Sequence, residues 1–108
     1  MLERYEMIVC CGEALIDMLP RESGAGEPSF APYVGGAVFN TSIALGRLDI
    51  PVGFFTGVST DYFGDLLKDA LTASNVRLDF IKFSDLPTTL AFVRLVDGHA
   101  TYLFYDEN

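Results

Sequence analysis

The chain has 108 residues, half of them hydrophobic, which is enough for one small domain with a packed core. Fifteen Asp and Glu against seven scattered Lys and Arg give a formal charge of −8, which argues against a nucleic-acid partner, because a phosphate backbone demands clustered cations. Two cysteines and one histidine are too few for a metal site built on them, and no apolar run approaches the ~20 residues that cross a bilayer.

The polar, acidic start Met1–Glu6 does not read as a signal peptide. Met7-Ile8-Val9-Cys10-Cys11 is a continuous apolar run, expected as a strand buried on both faces. Its adjacent cysteines are expected to be buried, reduced thiols, poorly placed to bond each other, as suits a reducing cytosol. Ala14–Leu19 continues extended and is expected to stop at Pro20. Arg21–Pro28, rich in Gly, Glu and Ser, reads as a solvated loop. Phe30–Val34 is a short strand that Pro32 places at a sheet edge, since it lacks an N–H.

Val38–Leu48 is apolar nearly all round and is expected as a buried helix, ended by Asp49-Ile50-Pro51. Val52–Thr56 is the next buried strand. Asp61 suits the N-cap of a second helix. In that helix Phe63, Leu66, Leu67, Ala70 and Leu71 share one face, and Asp65, Lys68 and Asp69 lie opposite. Asn75 suits a left-handed C-terminal cap, and Leu78–Phe83 reads as a third core strand. Strand–helix–strand–helix–strand implies a parallel sheet. Ala14–Leu19, Phe30–Val34 and the final segment break that alternation and are expected to form a separate antiparallel sheet.

The final segment is a hairpin. Leu90–Val96 and Thr101–Tyr105 are rich in strand formers, and Asp97-Gly98 between them is a strong two-residue turn. The turn sets Val96 opposite His99, Val93 opposite Tyr102, Ala91 opposite Phe104 and Thr89 opposite Asp106. One face then carries Thr89, Ala91, Val93, Tyr102, Phe104 and Asp106; the other carries Leu90, Phe92, Arg94, Thr101, Leu103 and Tyr105. Both are substantially apolar, so both are expected to be covered, one by ligand or core and one by a partner chain. His99, beside the turn, is expected to be exposed.

The polar groups concentrate elsewhere. Gly35-Gly36-Ala37-Val38-Phe39-Asn40 stands between an expected strand and an expected helix. Two glycines permit close backbone approach, and N–H groups at a helix mouth can receive an oxygen-rich ligand. Asn40, one turn on, adds a donor and an acceptor. Gly12-Glu13-Ala14-Leu15-Ile16-Asp17 ends an apolar strand on a carboxylate. Asp17, Gly35, Gly36 and Asn40 together make a polar set able to hold a polyol such as a sugar; a plain turn with solvated side chains is the alternative.

These residues resemble the N-terminal signature of the PfkB/ribokinase family of carbohydrate kinases: Gly35-Gly36, Asn40, Ile43-Ala44-Leu45-Gly46-Arg47-Leu48, Val52-Gly53-Phe54-Phe55 and Asp61-Tyr62-Phe63-Gly64. Gly12–Asp17 and Phe104-Tyr105-Asp106-Glu107-Asn108 resemble its fructokinase-like branch. Val38, Asp49 and Ser59 depart from the usual pattern without touching the polar set. The resemblance covers nearly the whole chain and implies an α/β, ribokinase-like fold, a parallel-sheet α/β/α core with a small antiparallel β lid. The chain would be its N-terminal portion, with core at about 1–13 and 35–84 and lid at about 14–34 and 85–108.

The resemblance further implies a cytoplasmic, ATP- and Mg²⁺-dependent sugar kinase, homodimeric through its lids. Asp17, Gly35, Gly36 and Asn40 would hold the sugar, with Ala91 and Phe104 facing it from the lid. No catalytic residue is expected here: the family's general base lies in a Gly-Ala-Gly-Asp motif that this sequence lacks, and its ATP-binding residues also lie downstream. The related ketodeoxygluconate kinases carry an Arg where Asp106 aligns, and an Asp there would repel an acidic sugar. A neutral sugar is expected, fructose above others. A nucleoside kinase of the same family, a non-catalytic sugar-binding or dimerisation module, and an unrelated Rossmann-like binder stay open, the last without its glycine fingerprint.

Overall fold

Alternating apolar runs and turn residues resolve into two sheets. The structure, a computed structural model, describes residues 6–107; Met1–Tyr5 and Asn108, which belong to the expected polar start and the end of the final segment, lie outside the described residues. In chain order the elements are β1 (Ile8–Cys11), β2 (Leu15–Glu22), β3 (Pro28–Gly35), α1 (Ala37–Arg47), β4 (Val52–Ser59), α2 (Tyr62–Ala73), β5 (Ile81–Ser84), β6 (Leu90–Val96) and β7 (His99–Tyr105). One sheet has the order β1-β4-β5, and all its pairings are parallel. The second has the order β3-β2-β6-β7. The molecule extends 63 Å, with a radius of gyration of 16.1 Å, against about 13 Å for a compact chain of this length.

The core gathers where α1 and α2 meet β4. Phe39, Phe54, Val52, Leu67 and Leu71 are fully buried there, each contributing about 1.5–3 kcal/mol relative to exposure. Phe39 and Phe54 meet with ring centres 6.0 Å apart. The expected apolar face of α2 holds, with Leu67 and Leu71 innermost. Asp61 is its N-cap, accepting from the Gly64 N–H at 2.8 Å, and Asn75 follows the helix at φ 63°.

Several expectations are corrected. α1 is buried on one side only, at Phe39, Ser42 and Gly46; Ala44 and Arg47 are exposed on the other. β1 is not buried on both faces: Cys10 is buried but Ile8, Val9 and Cys11 are exposed. Val9 and Cys11 point to the face opposite Cys10, and Ile8, on the Cys10 face, stands at the start of the strand. Burial, with the neighbouring Cys11 adding to it, pushes the Cys10 thiol up. The third strand is shorter than Leu78–Phe83 and is an edge, with Lys82 and Phe83 exposed. Pro20 does not end β2. That strand runs to Glu22, because its pairing with β6 spans only Ile16–Met18, so at Pro20 one side is open and a missing N–H is tolerated. The loop Arg21–Pro28 shrinks to a turn, where Ser23 N–H donates to Glu27 O at 2.8 Å and Ser23 Oγ accepts from Glu27 N–H at 3.1 Å.

The second sheet is not wholly antiparallel. β3 pairs with β2, and β6 with β7, antiparallel, but β2 and β6 are parallel. Both leave the first sheet in the same direction, and each returns by its own hairpin. β3 is an edge, as Pro32 required. The Asp97-Gly98 turn forms with φ of 51° and 78°, and every expected pair from Val96–His99 to Ala91–Phe104 is present. His99 is exposed.

Candidate functional site

Register brings distant residues into one line. Across the second sheet Tyr33 pairs with Asp17, Asp17 with Ala91, and Ala91 with Phe104. Strand alternation puts these four side chains on one face. Leu15 pairs with Gly35 in the next row, and beyond it Thr89 Oγ1 donates to Asp106 at 3.1 Å. Of the sequence candidates, Asp17, Gly35, Ala91 and Phe104 therefore share a surface. Gly36 and Asn40 adjoin it through the chain, since Gly36 is the N-cap of α1 and its carbonyl accepts from the Asn40 N–H at 2.8 Å.

Both glycines have steric reasons. A Cβ on Gly35 would collide with an Asp17 carboxylate oxygen, so a bare residue lets the carboxylate lie against the backbone. Gly36 has φ 112°, and a Cβ there would stand 2.6 Å from the Glu13 carbonyl oxygen. No side chain caps α1 and its first turn holds no acid, so the N–H groups of that turn have no side-chain cap from the helix's own segment.

Asp17 is half-buried, and burial alone raises its carboxyl above the ordinary value. Among the described residues no donor bonds that carboxylate. Hydroxyl groups offered by a ligand would relieve the desolvation of its charged form. Ala91 is only 1% exposed and forms the small floor between Asp17 and Phe104, whereas Phe104 is 61% exposed. Asn40 is exposed.

Sequence reasoning missed Tyr33, half exposed beside Asp17. Arg21 lies along the same face, its guanidinium 5.5 Å over the Tyr33 ring with one nitrogen 3.3 Å from the phenol oxygen. The signal was the Ser23–Glu27 turn: closing it tightly makes Asp17 face Tyr33. A hollow of about 310 Å³, lined by Glu13, Thr56, Ser59, Lys82 and Ser84, opens at the carboxyl ends of the parallel strands, where ligands of open α/β sheets bind. A larger hollow, about 1020 Å³, lies on the opposite face of the second sheet and is walled by Phe30, Phe92, Leu103 and Tyr105. It is apolar, and the sheet stands between it and the Asp17 carboxylate.

A parallel α/β core carrying a four-stranded sheet, with a carboxylate and a Gly-Gly turn where they meet, defines a class. Residues 5–108 match the pfkB family carbohydrate kinases, and the chain belongs to that family. It is 60% identical over 101 residues to a fructokinase of Rhizobium leguminosarum bv. trifolii, covering 94% of this chain and 31% of that protein. It is 39% identical to a fructokinase of Solanum tuberosum, covering 92% and 33%. Among solved structures, a fructokinase with bound ATP from Xylella fastidiosa superposes with a TM-score of 0.85 at 37% identity, covering 93% of this chain and 33% of that one. The chain spans about a third of the length of these relatives. Among the described residues no helix is long and apolar enough to cross a membrane.

Proposed function

We propose that this segment supplies the sugar-binding residues and lid of an ATP-dependent kinase for a neutral sugar, fructose above others. The division follows the two sheets: core at about 1–13 and 35–84, lid at about 14–34 and 85–108. The observation that carries the reading is the row Tyr33–Asp17–Ala91–Phe104, in which a half-buried carboxylate lacks a protein donor among the described residues. In this reading Asp17 accepts two sugar hydroxyl hydrogen bonds, of roughly 1.5–3 kcal/mol each. Gly35, Gly36 and Asn40 line the core side, and Phe104 closes over the sugar and excludes water. Asp106 places a negative charge at the same face, which disfavours an acidic sugar. The similarity to fructokinases points the same way.

ATP with Mg²⁺ would supply the phosphoryl group and neutralise its charge. Among the described residues no group of three His, Cys, Asp or Glu could hold a metal ion, and the sequence has no phosphate-cradling glycine loop. In this reading the donor is held by residues outside this segment, as the family resemblance implies. The test is a coupled assay of the full-length protein with ATP and Mg²⁺ against fructose, ribose, ketodeoxygluconate and adenosine. Fructose should lead and the isolated 108 residues should be inactive. A preference for ketodeoxygluconate defeats the charge argument at Asp106, one for adenosine makes it a nucleoside kinase, and no turnover leaves a non-catalytic module.

The same reading makes the full-length protein a cytoplasmic dimer joined through its lids. Part of the outer lid face is covered within the chain, since Ile16 is fully buried and Met18, Val34 and Leu90 pack on the same core. The outer half is open: Phe92 meets Phe30 and Tyr105 edge-on at 5.1 and 5.7 Å, yet Leu103 and Tyr105 stay more than half exposed. An apolar surface of this kind suits a second copy. Phe92→Glu with Leu103→Glu should give a folded monomer by light scattering and circular dichroism. A persisting dimer places the interface elsewhere.

A further inference from the structure

The chain crosses between core and lid at three places among the described residues: Gly12-Glu13-Ala14, Gly35-Gly36 and Ser84–Thr89. The third is bonded to the core far more densely than a connection requires. Asp61 Oδ1 accepts from the Gly64 N–H at 2.8 Å and from the Thr88 hydroxyl at 2.7 Å, while Oδ2 accepts from the Thr88 N–H at 3.0 Å. The Asp61 N–H donates to Ser59 Oγ at 3.1 Å. Thr60 adds two more links across the junction, N–H to Ser84 O at 2.9 Å and hydroxyl to Asp85 at 3.0 Å. Thr88 is 7% exposed.

A helix cap needs one such bond, and Gly64 provides it. The two bonds to Thr88, twenty-seven residues away, do nothing for the cap. They act on the strand that begins just beyond Thr88. Thr89 O accepts from Ile16 N–H at 3.0 Å, and two residues later Ala91 stands beside Asp17. Resting on the sugar-kinase reading, we infer that Asp61 is a positioning residue for the sugar site: through Thr88 it fixes the stance of β6, and with it Ala91 and Phe104, relative to the core. The other two crossings run through glycines, at Gly12 and at Gly35-Gly36, and carry no side-chain clamp of this kind among the described residues. A shift of one position at Thr88 would move every side chain of β6 to the other face.

The test uses the full-length protein with Thr88→Val, which keeps shape and removes the hydroxyl, and Thr88→Ser, which restores it. Asp61→Asn is the second probe: it keeps the Oδ1 acceptor for Gly64 but sets an amide donor against the Thr88 N–H. In Thr88→Val and Asp61→Asn, hydrogen exchange across Leu90–Val96 should quicken about tenfold while Tyr62–Ala73 stays protected. The KM for fructose should rise at least fivefold and that for ATP stay within twofold, with Thr88→Ser near the unaltered protein. Unchanged exchange in β6, or equal loss of protection in α2, overturns the clamp. Faster exchange with an unchanged fructose KM overturns the positioning role. Should the unaltered protein turn over no sugar, the kinase reading fails, and the exchange measurement still decides the clamp by itself.

Discussion

Two aspartates in this chain stand in opposite conditions. Asp61, at the N-terminus of α2, has both carboxylate oxygens engaged by three donors at 2.7–3.0 Å. Burial would raise its carboxyl, but bonds from the Thr88 and Gly64 N–H groups and the Thr88 hydroxyl, with the Ser59 hydroxyl close by, outweigh burial and hold it below its ordinary value. Asp17, on the face of the second sheet that it shares with Ala91 and Phe104, is half-buried too, yet accepts no bond among the described residues, and burial raises it. Partial burial is common to both; the bonding is what differs. A saturated carboxylate commits its capacity to architecture, whereas an unsaturated one beside a bare glycine retains that capacity for a ligand.

The contrast is broken most forcefully at Asp17. On the proposed reading, Asp17→Ala in the full-length protein removes the acceptor of two sugar hydroxyls. The kcat/KM for fructose should fall by about 3–6 kcal/mol, or ~10²–10⁴-fold, with the ATP KM within about twofold. Steady-state kinetics with each substrate varied decides it. Fructose kinetics like those of the unaltered protein would make Asp17 a solvated strand residue.

Asp61→Ala should act on stability instead. It removes a helix cap and strands the Thr88 donors, costing about 2–4 kcal/mol. The sign with pH comes from the depressed folded pKa. The stabilisation is complete above the unfolded carboxylate value near 4 and is lost as pH falls through the folded one. Denaturant unfolding should thus show a constant gap between the two proteins from pH 7 to about 4.5, closing below. A gap that persists in strong acid would mean packing, not the carboxylate, is responsible.

Legibility from sequence tracked the range of each interaction. The β6–β7 register was readable because Asp97-Gly98 demands one turn type and period-2 alternation does the rest. Asp61 as a cap and Asn75 as a left-handed terminus are equally local. Asp17, Gly35, Ala91 and Phe104 stood out through polar grouping and family likeness, and their single face emerged only from the parallel β2–β6 pairing, which no local pattern encodes. Thr88 was invisible for the same reason, since its partner lies twenty-seven residues upstream. Burial was overestimated for β1 and the exposed side of α1, because apolar composition reports what a surface could bury, not what covers it.

The smallest expected effect sharpens the comparison furthest, because it exposes the proposed binding residue as a stability liability. With its folded pKa raised, charged Asp17 lowers stability at every pH above that folded value. The penalty shrinks as pH falls from the folded value toward the unfolded one near 4, and below that both states are protonated and it vanishes. Asp17→Asn keeps the shape, removes the charge and lies flat against Gly35 as before. Its Tm should therefore exceed that of the unaltered protein by about 1–2 °C at pH 7, the scale of a single partly exposed polar change, and equal it near pH 3. At Asp61 the same substitution should lower Tm at pH 7. Calorimetry of both variants at the two pH values compares the sites directly, and a Tm loss for Asp17→Asn at pH 7 would show that its carboxylate is already satisfied by the protein.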